Sequence, residues 1–228
     1  INQVLDTHPN VTMDDGAAVH AYRWMPQGQP RAIVQIAHGM AEHGRRYARL
    51  AGVLVDQGYG VWAHDHRGHG RTVASLQDLG HFADEGGFDR LVSDLLAVRE
   101  HIDRDRVPTQ AHKVGLFAHS MGTFVTQAAL ALHPPTRWDA VILSGSDAPG
   151  GARISALRTV AAIERVRQGK RGRSSLIDRL VFGAYNSTFK PTRTPSDWLS
   201  RDPAEVDLFV ADPLTGFRLT NQSWLDFL

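Results

Sequence analysis

The sequence has no cysteine and only three lysines, so its basic charge is almost all arginine. Without cysteine there is no disulfide framework, no thiolate nucleophile and no cysteine-ligated metal site, and we expect a reducing, cytoplasmic location. The net charge of +1 argues against a nucleic-acid partner. No apolar run approaches the length that spans a bilayer, and no secretory signal is visible at the start of the chain, which is Ile1.

What is present is the composition of an ordinary globular protein, with 42% hydrophobic and 21% charged residues among 228. A chain of this length can bury one sizeable core, with or without a small appendage. Apolar runs of strand length alternate with segments of helical periodicity as far as residue 146. Such alternation is typical of βαβ units. We therefore expect an α/β fold with a mostly parallel sheet and helices on both faces.

The predicted elements begin with a hairpin around Asp15-Gly16, which is a strong turn signal. Strands are predicted at residues 11–14, 18–24, 32–37, 60–64, 114–118 and 140–144. Helices are predicted at residues 47–57, 88–104 and 122–132. The second of these helices carries one apolar face, formed by Leu91, Leu95, Val98 and Ile102.

Beyond residue 146 the alternation stops, and the chain becomes helical and rich in loops. Helices are predicted at residues 155–168 and around an apolar stripe that contains Leu176, Ile177, Leu180 and Val181. We therefore expect two regions. Residues 1–146 form the N-terminal part of the core, and residues 147–228 form a helical cap over the carboxyl ends of the strands, where open α/β sheets bind ligands.

A small-His-Ser-Met-Gly pattern at residues 118–122 lies between a predicted strand and a predicted helix. This is the context of a nucleophile elbow, a turn so tight that it strains the serine backbone and projects the hydroxyl from the sheet. The residues two before and two after the serine must be small, because the strand and the helix nearly touch there. Ala118 and Gly122 meet this requirement, and the pattern predicts Ser120 as a nucleophile.

A second motif, HGMAEH at residues 38–43, follows an earlier strand, where such a fold supplies half of its oxyanion hole. The backbone N–H groups of Met40 and Met121 would converge there on a carbonyl oxygen. We interpret His38 and Glu42 as scaffold for this loop. Direct contact with substrate by His38, and by Gly39 and His119 beside it, is the alternative.

Three motifs carry a resemblance to a known family: HGMAEH at residues 38–43, DHRGHG at 65–70 and HSMG at 119–122. In this order they resemble the monoacylglycerol lipase and lysophospholipase branch of the α/β-hydrolases, which is also classified as serine aminopeptidase-like. DPLTGF at residues 212–217 is similar to another stretch of that branch. Two departures are Ala118, where glycine is usual, and Met40-Ala41, where alanine-glycine is more familiar. The resemblance implies an α/β-hydrolase fold that cleaves acylglycerol or lysophospholipid esters through an acyl-enzyme, without a metal or organic cofactor.

The acid and the base of a catalytic triad are missing from the predicted core. In this fold they follow the serine in the order Asp or Glu, then His. The one later histidine, His133, lies at the far end of the elbow helix, about 18 Å from Ser120. The later aspartates that could serve all fall in the cap region: Asp178, Asp197, Asp202, Asp207, Asp212 and Asp226. We expect the triad aspartate and histidine, with the last strands, in a C-terminal segment of the same protein beyond residue 228.

Two alternatives to a serine esterase stay open. HDHRGH at residues 64–69 has the histidine spacing of a zinc site, although Gly68 stands where the related metallo-hydrolase pattern has aspartate. The missing base also allows a catalytically inactive binding scaffold. We do not expect His119 to replace the base, because neighbouring side chains at an elbow point apart.

Two features of the cap bear on the substrate. The stripe of Leu176, Leu180 and Val181 would line the acyl pocket or, alternatively, pack as cap core. The basic run KRGR at residues 170–173 would meet phosphate head groups or a lipid surface, or it is a solvated loop. The predicted partners are a small-molecule acyl ester, transient lipid-surface contact and no nucleic acid.

Overall fold

The computed structural model describes residues 5–109, 113–133, 138–147 and 151–228. Seven strands form one sheet in these ranges. In chain order they are β1 (Leu5–Thr7), β2 (Asn10–Thr12), β3 (Ala18–Met25), β4 (Ile33–Ala37), β5 (Gly60–His64), β6 (Val114–His119) and β7 (Ala140–Ser144). Every strand predicted from the sequence is present within two residues at each end, and β1 is an addition.

The strand order is β1-β3-β5-β4-β6-β7, with β2 paired to β3. Strands β4, β5, β6 and β7 run parallel, whereas β1, β2 and β3 are antiparallel to their partners. In the centre of the sheet Ala37 at the end of β4 pairs with Ala118 near the end of β6. The loops that follow these two strands therefore emerge side by side, at the edge where parallel sheets bind ligands.

Helices lie on both faces of the sheet and beyond it. They are α1 (Ala48–Asp56), α2 (Gly87–Thr109), α3 (Met121–Leu132), α4 (Gly151–Gln168), α5 (Ser175–Ser187), α6 (Pro203–Ala211) and α7 (Asn221–Phe227). The first five were predicted as helices from periodicity, whereas α6 and α7 were not. Among the described residues no helix is both long enough and apolar enough to cross a membrane.

Two apolar layers sandwich the sheet, because successive strand residues point to opposite faces. On one face Ala51 and Val55 of α1 pack with Ile36 of β4. On the other face α2 and α3 pack with Ile33 of the same strand. The predicted apolar face of α2 is buried in this second layer, with Leu91, Leu95, Val98 and Ile102 all fully buried. The α/β expectation, a mostly parallel sheet with helices on both faces, is confirmed.

The chain after β7 forms helices that pack on the core. In α7, Trp224 is fully buried and the ring of Phe227 meets Phe124 of α3 edge-on, with ring centroids 5.6 Å apart. Phe227 also lies 6.1 Å from Phe88 at the start of α2. Aromatic packing of this kind fixes α7 against both core helices.

The basic run KRGR tethers this helical region to a loop of the core. Arg171 donates to the Asp78 carboxylate at 3.0 Å, and Lys170 donates to the backbone oxygen of Asp84 at 3.0 Å. Arg173 donates to the backbone oxygens of Gln77 and Leu79 at 2.6 and 2.7 Å. These cations therefore already have partners within the chain, which neither sequence interpretation of the run anticipated.

Candidate active site

Ser120 lies in a tight turn between β6 and α3. Its backbone has φ 48° and ψ −118°, a region that costs a non-glycine residue on the order of 1–3 kcal/mol. The turn is held by the Ser120 N–H, which donates to the Ser144 backbone oxygen at 2.9 Å. The backbone N–H and the side-chain hydroxyl of Thr123 both donate to the backbone carbonyl oxygen of Ser120, at 2.8 and 2.7 Å. Ser120 thus has the strained strand–turn–helix geometry of a nucleophile elbow.

Gly122 shows why this elbow requires small residues. A Cβ atom at position 122 would lie 2.4 Å from the Ala37 oxygen and 2.7 Å from the His38 oxygen, both of them backbone atoms. Helix α3 therefore approaches the end of β4 as closely as backbones can. Two residues before the serine, the side chain of Ala118 is completely buried, so the structure accommodates a methyl group there.

The HGMAEH loop follows β4 and lies against Ser120. A Cβ atom on Gly39 would be 3.2 Å from Ser120 Cβ and 2.8 Å from Glu42 Oε1. The buried Glu42 carboxylate accepts hydrogen bonds from the Gly39 N–H at 2.6 Å and from the Tyr47 hydroxyl at 2.9 Å. It also pairs with Arg46. Glu42 thus organises the loop from within, which is the scaffold role that the sequence predicts.

His38 holds the same loop through both ring nitrogens. The His66 backbone N–H donates to His38 Nε2 at 2.9 Å, so the neutral ring carries its proton on Nδ1. That proton is donated to the Gly39 oxygen at 2.7 Å. His66 Nε2 in turn donates to the His38 oxygen at 3.2 Å, which leaves His66 Nδ1 to accept from His64 Nε2 at 3.2 Å. The hydrogen bonds therefore define one neutral tautomer for each ring.

These buried imidazoles are engaged with one another and with backbone groups, which disfavours a zinc site on HDHRGH. Both ring nitrogens of His66 and of His69 are engaged in this way. Within residues 5–109, 113–133, 138–147 and 151–228 no group of three or more His, Cys, Asp or Glu side chains is arranged to hold a metal ion.

We expect the free energy of unfolding to fall as the pH is lowered from about 7 towards about 4, because the buried imidazoles resist protonation. Burial lowers the pKa of His64 and of His69 to about 4 and places the pKa values of His38 and His66 well below their ordinary value. In the unfolded chain these histidines take up protons with a pKa of about 6.5. Each of His64 and His69 therefore contributes on the order of 3 kcal/mol to the free energy of unfolding above pH 6.5, and this contribution is lost as the pH falls towards the pKa in the folded state.

Denaturant unfolding at a series of pH values would measure this slope. Burial raises the pKa of the Asp65 and Asp94 carboxyls, and their effect on stability has the opposite sign, so the slope is clearest between about pH 6.5 and 5. Replacement of the exposed His133 by glutamine is the control and should leave the slope unchanged. A stability that is flat or rises on acidification in this range would contradict a neutral histidine cluster.

Two cavities meet at Ser120. The small cavity, of about 210 Å³, is lined by Gly39, by the charged side chains of Glu42, Arg46 and Asp178, and by apolar side chains that include Phe209 and Phe217. The large cavity, of about 520 Å³, is mainly apolar. Its lining includes Met121 and these apolar or aromatic side chains: Phe124, Leu157, Val181, Tyr185, Trp224 and Phe227. Met40, His119 and Ser120 line both cavities. Ser120 thus lies between a small cavity that contains three charged side chains and a larger cavity that is mainly apolar.

The structure separates the side chains that the sequence grouped as substrate-binding. Gly39, His119 and Val181 line a cavity beside Ser120. His38 is fully buried behind the loop and lines neither cavity. Leu176 and Leu180 are 39% and 45% exposed and also lie outside both cavities. The apolar stripe on α5 is therefore divided, because α5 turns Val181 inward and these two leucines outward.

Sequence reasoning missed several of the cavity residues. Phe124 lies one helical turn beyond Met121, so helical spacing was a usable signal for it. Trp224 and Phe227 belong to α7, which no sequence motif connects to the elbow. They reach the large cavity through the packing of α7 on α3.

No hydrogen bond among the described residues joins Ser120 Oγ to a histidine. His133 caps the far end of α3, twelve residues of helix away from Ser120. His119 lies beside the serine but turns to the end of β7, with its Nδ1 3.4 Å from Ser144 Oγ. The described chain thus supplies the elbow without a base at hydrogen-bond distance.

The aspartates between residues 178 and 226 that were candidates for the catalytic acid are mostly engaged elsewhere. Asp202 accepts from Ala204 N–H as the N-cap of α6, and Asp226 accepts from the Gly87 N–H. Asp197 and Asp207 both contact Arg193, and Asp212 contacts His43. Asp178 also pairs with Arg218, at 3.5 Å, but it differs from the others because it lines the small cavity.

Comparison with known proteins places this geometry in a family. The family model described as serine aminopeptidase S33 matches residues 28–228. Monoglyceride lipase from Mus musculus is 30% identical over 206 residues, which cover 90% of this chain and 59% of that protein. Monoacylglycerol lipase from Mycolicibacterium smegmatis is 31% identical over 194 residues, covering 84% and 59%. The chain thus spans about three fifths of the length of these curated relatives.

Solved structures agree with the sequence relatives. A thermostable carboxyl esterase from Bacillus coagulans, solved in complex with glycerol, superposes with a TM-score of 0.83 at 27% identity. That match covers 99% of this chain and 72% of the esterase. A monoacylglycerol lipase from Paleococcus ferrophilus shares the fold at 20% identity, with a TM-score of 0.59 over 92% of this chain and 68% of the lipase.

Proposed function

This chain belongs to the serine aminopeptidase S33 family of α/β-hydrolases, and from that premise we propose that it carries the nucleophile of a serine hydrolase that cleaves carboxylic esters. The observation that supports this most directly is the strained backbone of Ser120 between two cavities. Strain of this kind persists only where the surrounding structure enforces it, and it clusters at catalytic sites.

In the proposed reaction Ser120 Oγ attacks the ester carbonyl carbon as its proton passes to a histidine base. The backbone N–H groups of Met40 and Met121 bind the negatively charged oxygen that forms. The alcohol then leaves with a proton from the base, and water hydrolyses the acyl-enzyme to release the acid. Two features support the donor assignment: both methionines line the large cavity beside Ser120, and Met121 is the first residue of α3, where the helix dipole favours negative charge.

The two cavities favour an acyl ester with a small polar alcohol as substrate. The apolar lining of the large cavity suits a hydrocarbon chain, and Glu42, Arg46 and Asp178 in the small cavity offer partners for hydroxyl groups. The matched lipases are named for monoglycerides, and the matched esterase was solved with glycerol. Because the KRGR cations are already paired with core groups, we favour an acylglycerol over a lysophospholipid.

We assign the base and its acid partner to a further segment of the same protein that extends the sheet at β7. In the described chain β7 pairs with β6 alone. Two of its apolar side chains, Ile142 and Leu143, are 60% and 39% exposed, which is unusual for a strand of a parallel sheet. An additional strand and its helix would cover them and would place a histidine-bearing loop next to the elbow.

The exposed leucines on the outer face of α5 suit transient contact of the protein with a lipid surface. Leu176 and Leu180 are one helical turn apart and project from α5 to solvent. Insertion of such side chains into a lipid surface would bring α5 and the large cavity next to the source of acyl esters.

Treatment with a fluorophosphonate probe, followed by denaturing intact-mass analysis, tests the proposal on the protein as it is naturally produced. We expect one adduct, localised to Ser120 by peptide mapping, because such probes phosphonylate only activated serines. Ser75, which is exposed and outside the site, should stay unlabelled in the same maps.

The same measurement tests the inactive scaffold, which is favoured by the lack, among the described residues, of a histidine at hydrogen-bond distance from Ser120 Oγ. A protein that remains unlabelled while it hydrolyses no acyl ester would support the scaffold and overturn the hydrolase proposal. An adduct on Ser120 in a polypeptide heavier than 25.1 kDa, or accompanied by a second polypeptide, would support the segment that we assign to β7.

A further inference from the structure

The loop between β4 and α1 contains a second strained residue, directly after the proposed oxyanion donor. Ala41 has φ 54°, and Ala41 and Ser120 are the non-glycine residues with positive φ in the described ranges. An alanine in this region persists only where neighbouring groups hold it. The contacts that hold Ala41 therefore also fix the peptide that joins it to Met40.

His69, from the DHRGHG motif, holds this peptide on its amide side. The Ala41 N–H donates to His69 Nε2 at 3.2 Å, and the opposite ring nitrogen, Nδ1, donates to the Arg67 oxygen at 2.9 Å. The ring is fully buried between Phe82, which stacks on it at 5.8 Å, and Phe217, which meets it edge-on at 5.1 Å. His69 is thus a fixed acceptor with a single tautomer.

The cap holds Ala41 from the other side. The Ala41 oxygen accepts a hydrogen bond from the Gly216 N–H at 2.9 Å. Gly216 belongs to the DPLTGF segment, whose first residue, Asp212, is 2.9 Å from His43 Nε2. Both polar groups of a strained alanine are therefore paired, one with the core and one with the cap.

Met40 consequently lies between two fixed peptide planes. The plane before it contains the Gly39 oxygen, which His38 holds, and the plane after it contains the Ala41 N–H, which His69 holds. The Met40 N–H lies in the first plane, opposite the Gly39 oxygen, and the second plane restrains the Met40 Cα from its other side, so the N–H keeps a single direction while both planes are held. We propose that His69 is a positioning residue that directs the Met40 N–H towards the oxyanion, and this inference rests on the proposed hydrolase function.

A matched pair of substitutions at His69 tests this role. Glutamine places an amide oxygen near the position of Nε2 and can still accept from the Ala41 N–H. Asparagine reaches only the position of Nδ1, so it retains the bond to Arg67 and loses the bond to Ala41. We expect H69N to lower kcat for an acyl ester about 10- to 100-fold with KM within about 2-fold, because a displaced oxyanion donor weakens transition-state binding alone. H69Q should recover most of that loss.

Unfolding midpoints show whether the variants keep the native structure. If H69N does not fold, H69L replaces it, because leucine retains apolar packing with Phe82 and Phe217. Equal kcat values for H69N and H69Q, or an H69N loss confined to KM, would overturn the positioning role. The variant S120A, assayed in parallel, separates the two hypotheses. If S120A is inactive and H69N is fully active, only the positioning role fails, whereas an active S120A removes the hydrolase function and the inference with it.

Discussion

S120A is expected to lose ester hydrolysis by at least about 10⁴-fold in kcat, while its unfolding midpoint does not fall. The loss is large because the hydroxyl is the attacking atom, and no other described serine has its strained turn between two cavities. Removal of one oxygen creates no sizeable void. Steady-state hydrolysis of a chromogenic short-chain ester and of a monoacylglycerol would measure the effect.

S75A is the matched control for S120A, since Ser75 is exposed and donates only to Asp78. It should retain full activity. Residual hydrolysis by S120A would report on the oxyanion hole, because an intact oxyanion hole accelerates attack by water even without the nucleophile. An S120A protein that turns over esters at the natural rate, in a preparation free of contaminating hydrolases, would show that the chemistry lies elsewhere.

Local patterns were sufficient to predict the core of this fold. Strands β4 and β5 are almost entirely buried, β6 is partly buried and β7 is largely exposed, but all four are short apolar runs, and this composition marks them as strands. The periodicity of α2 found its buried face because Leu91, Leu95, Val98 and Ile102 share one side of one helix. β1 escaped prediction because its three residues, LDT, form neither an apolar run nor an alternation.

The candidate site likewise contains residues that local patterns predict and residues that only tertiary packing brings together. Ser120, Gly122 and the HGMAEH loop were predictable because each lies within a few residues of a strand end, and the fold brings such ends together. The cavity walls were not predictable, since Trp224 and Phe227 reach Ser120 only through tertiary packing. The same holds for the partners of KRGR and for the separation of Val181 from Leu176 on α5. Periodicity gives the apolar face of a helix, but not the neighbour that each residue on it meets.

G122A is expected to damage the site through packing alone. The added Cβ would lie 2.4 Å from the Ala37 oxygen and 2.7 Å from the His38 oxygen. Neither backbone atom can rotate away, so α3 must move off β4 and carry Ser120 away from the HGMAEH loop. We expect the free energy of unfolding to fall by about 3 kcal/mol. We also expect kcat to fall about 10²-fold, since a displacement near 1 Å is enough to disrupt alignment of the reacting groups.

Gly52 provides the matched control, because it is a helical glycine of α1 with nothing within 4 Å of an added Cβ. G52A should leave kcat unchanged and raise the free energy of unfolding by about 0.5–1 kcal/mol through helix propensity. Denaturant titration and ester hydrolysis on the same preparations would compare the pair. If G122A matched G52A in both measurements, α3 could shift away from β4 without loss of stability or activity. The close approach of the helix to the strand would then not be what positions Ser120. A loss confined to G122A would instead show that the close approach of α3 to the end of β4 positions Ser120 for catalysis.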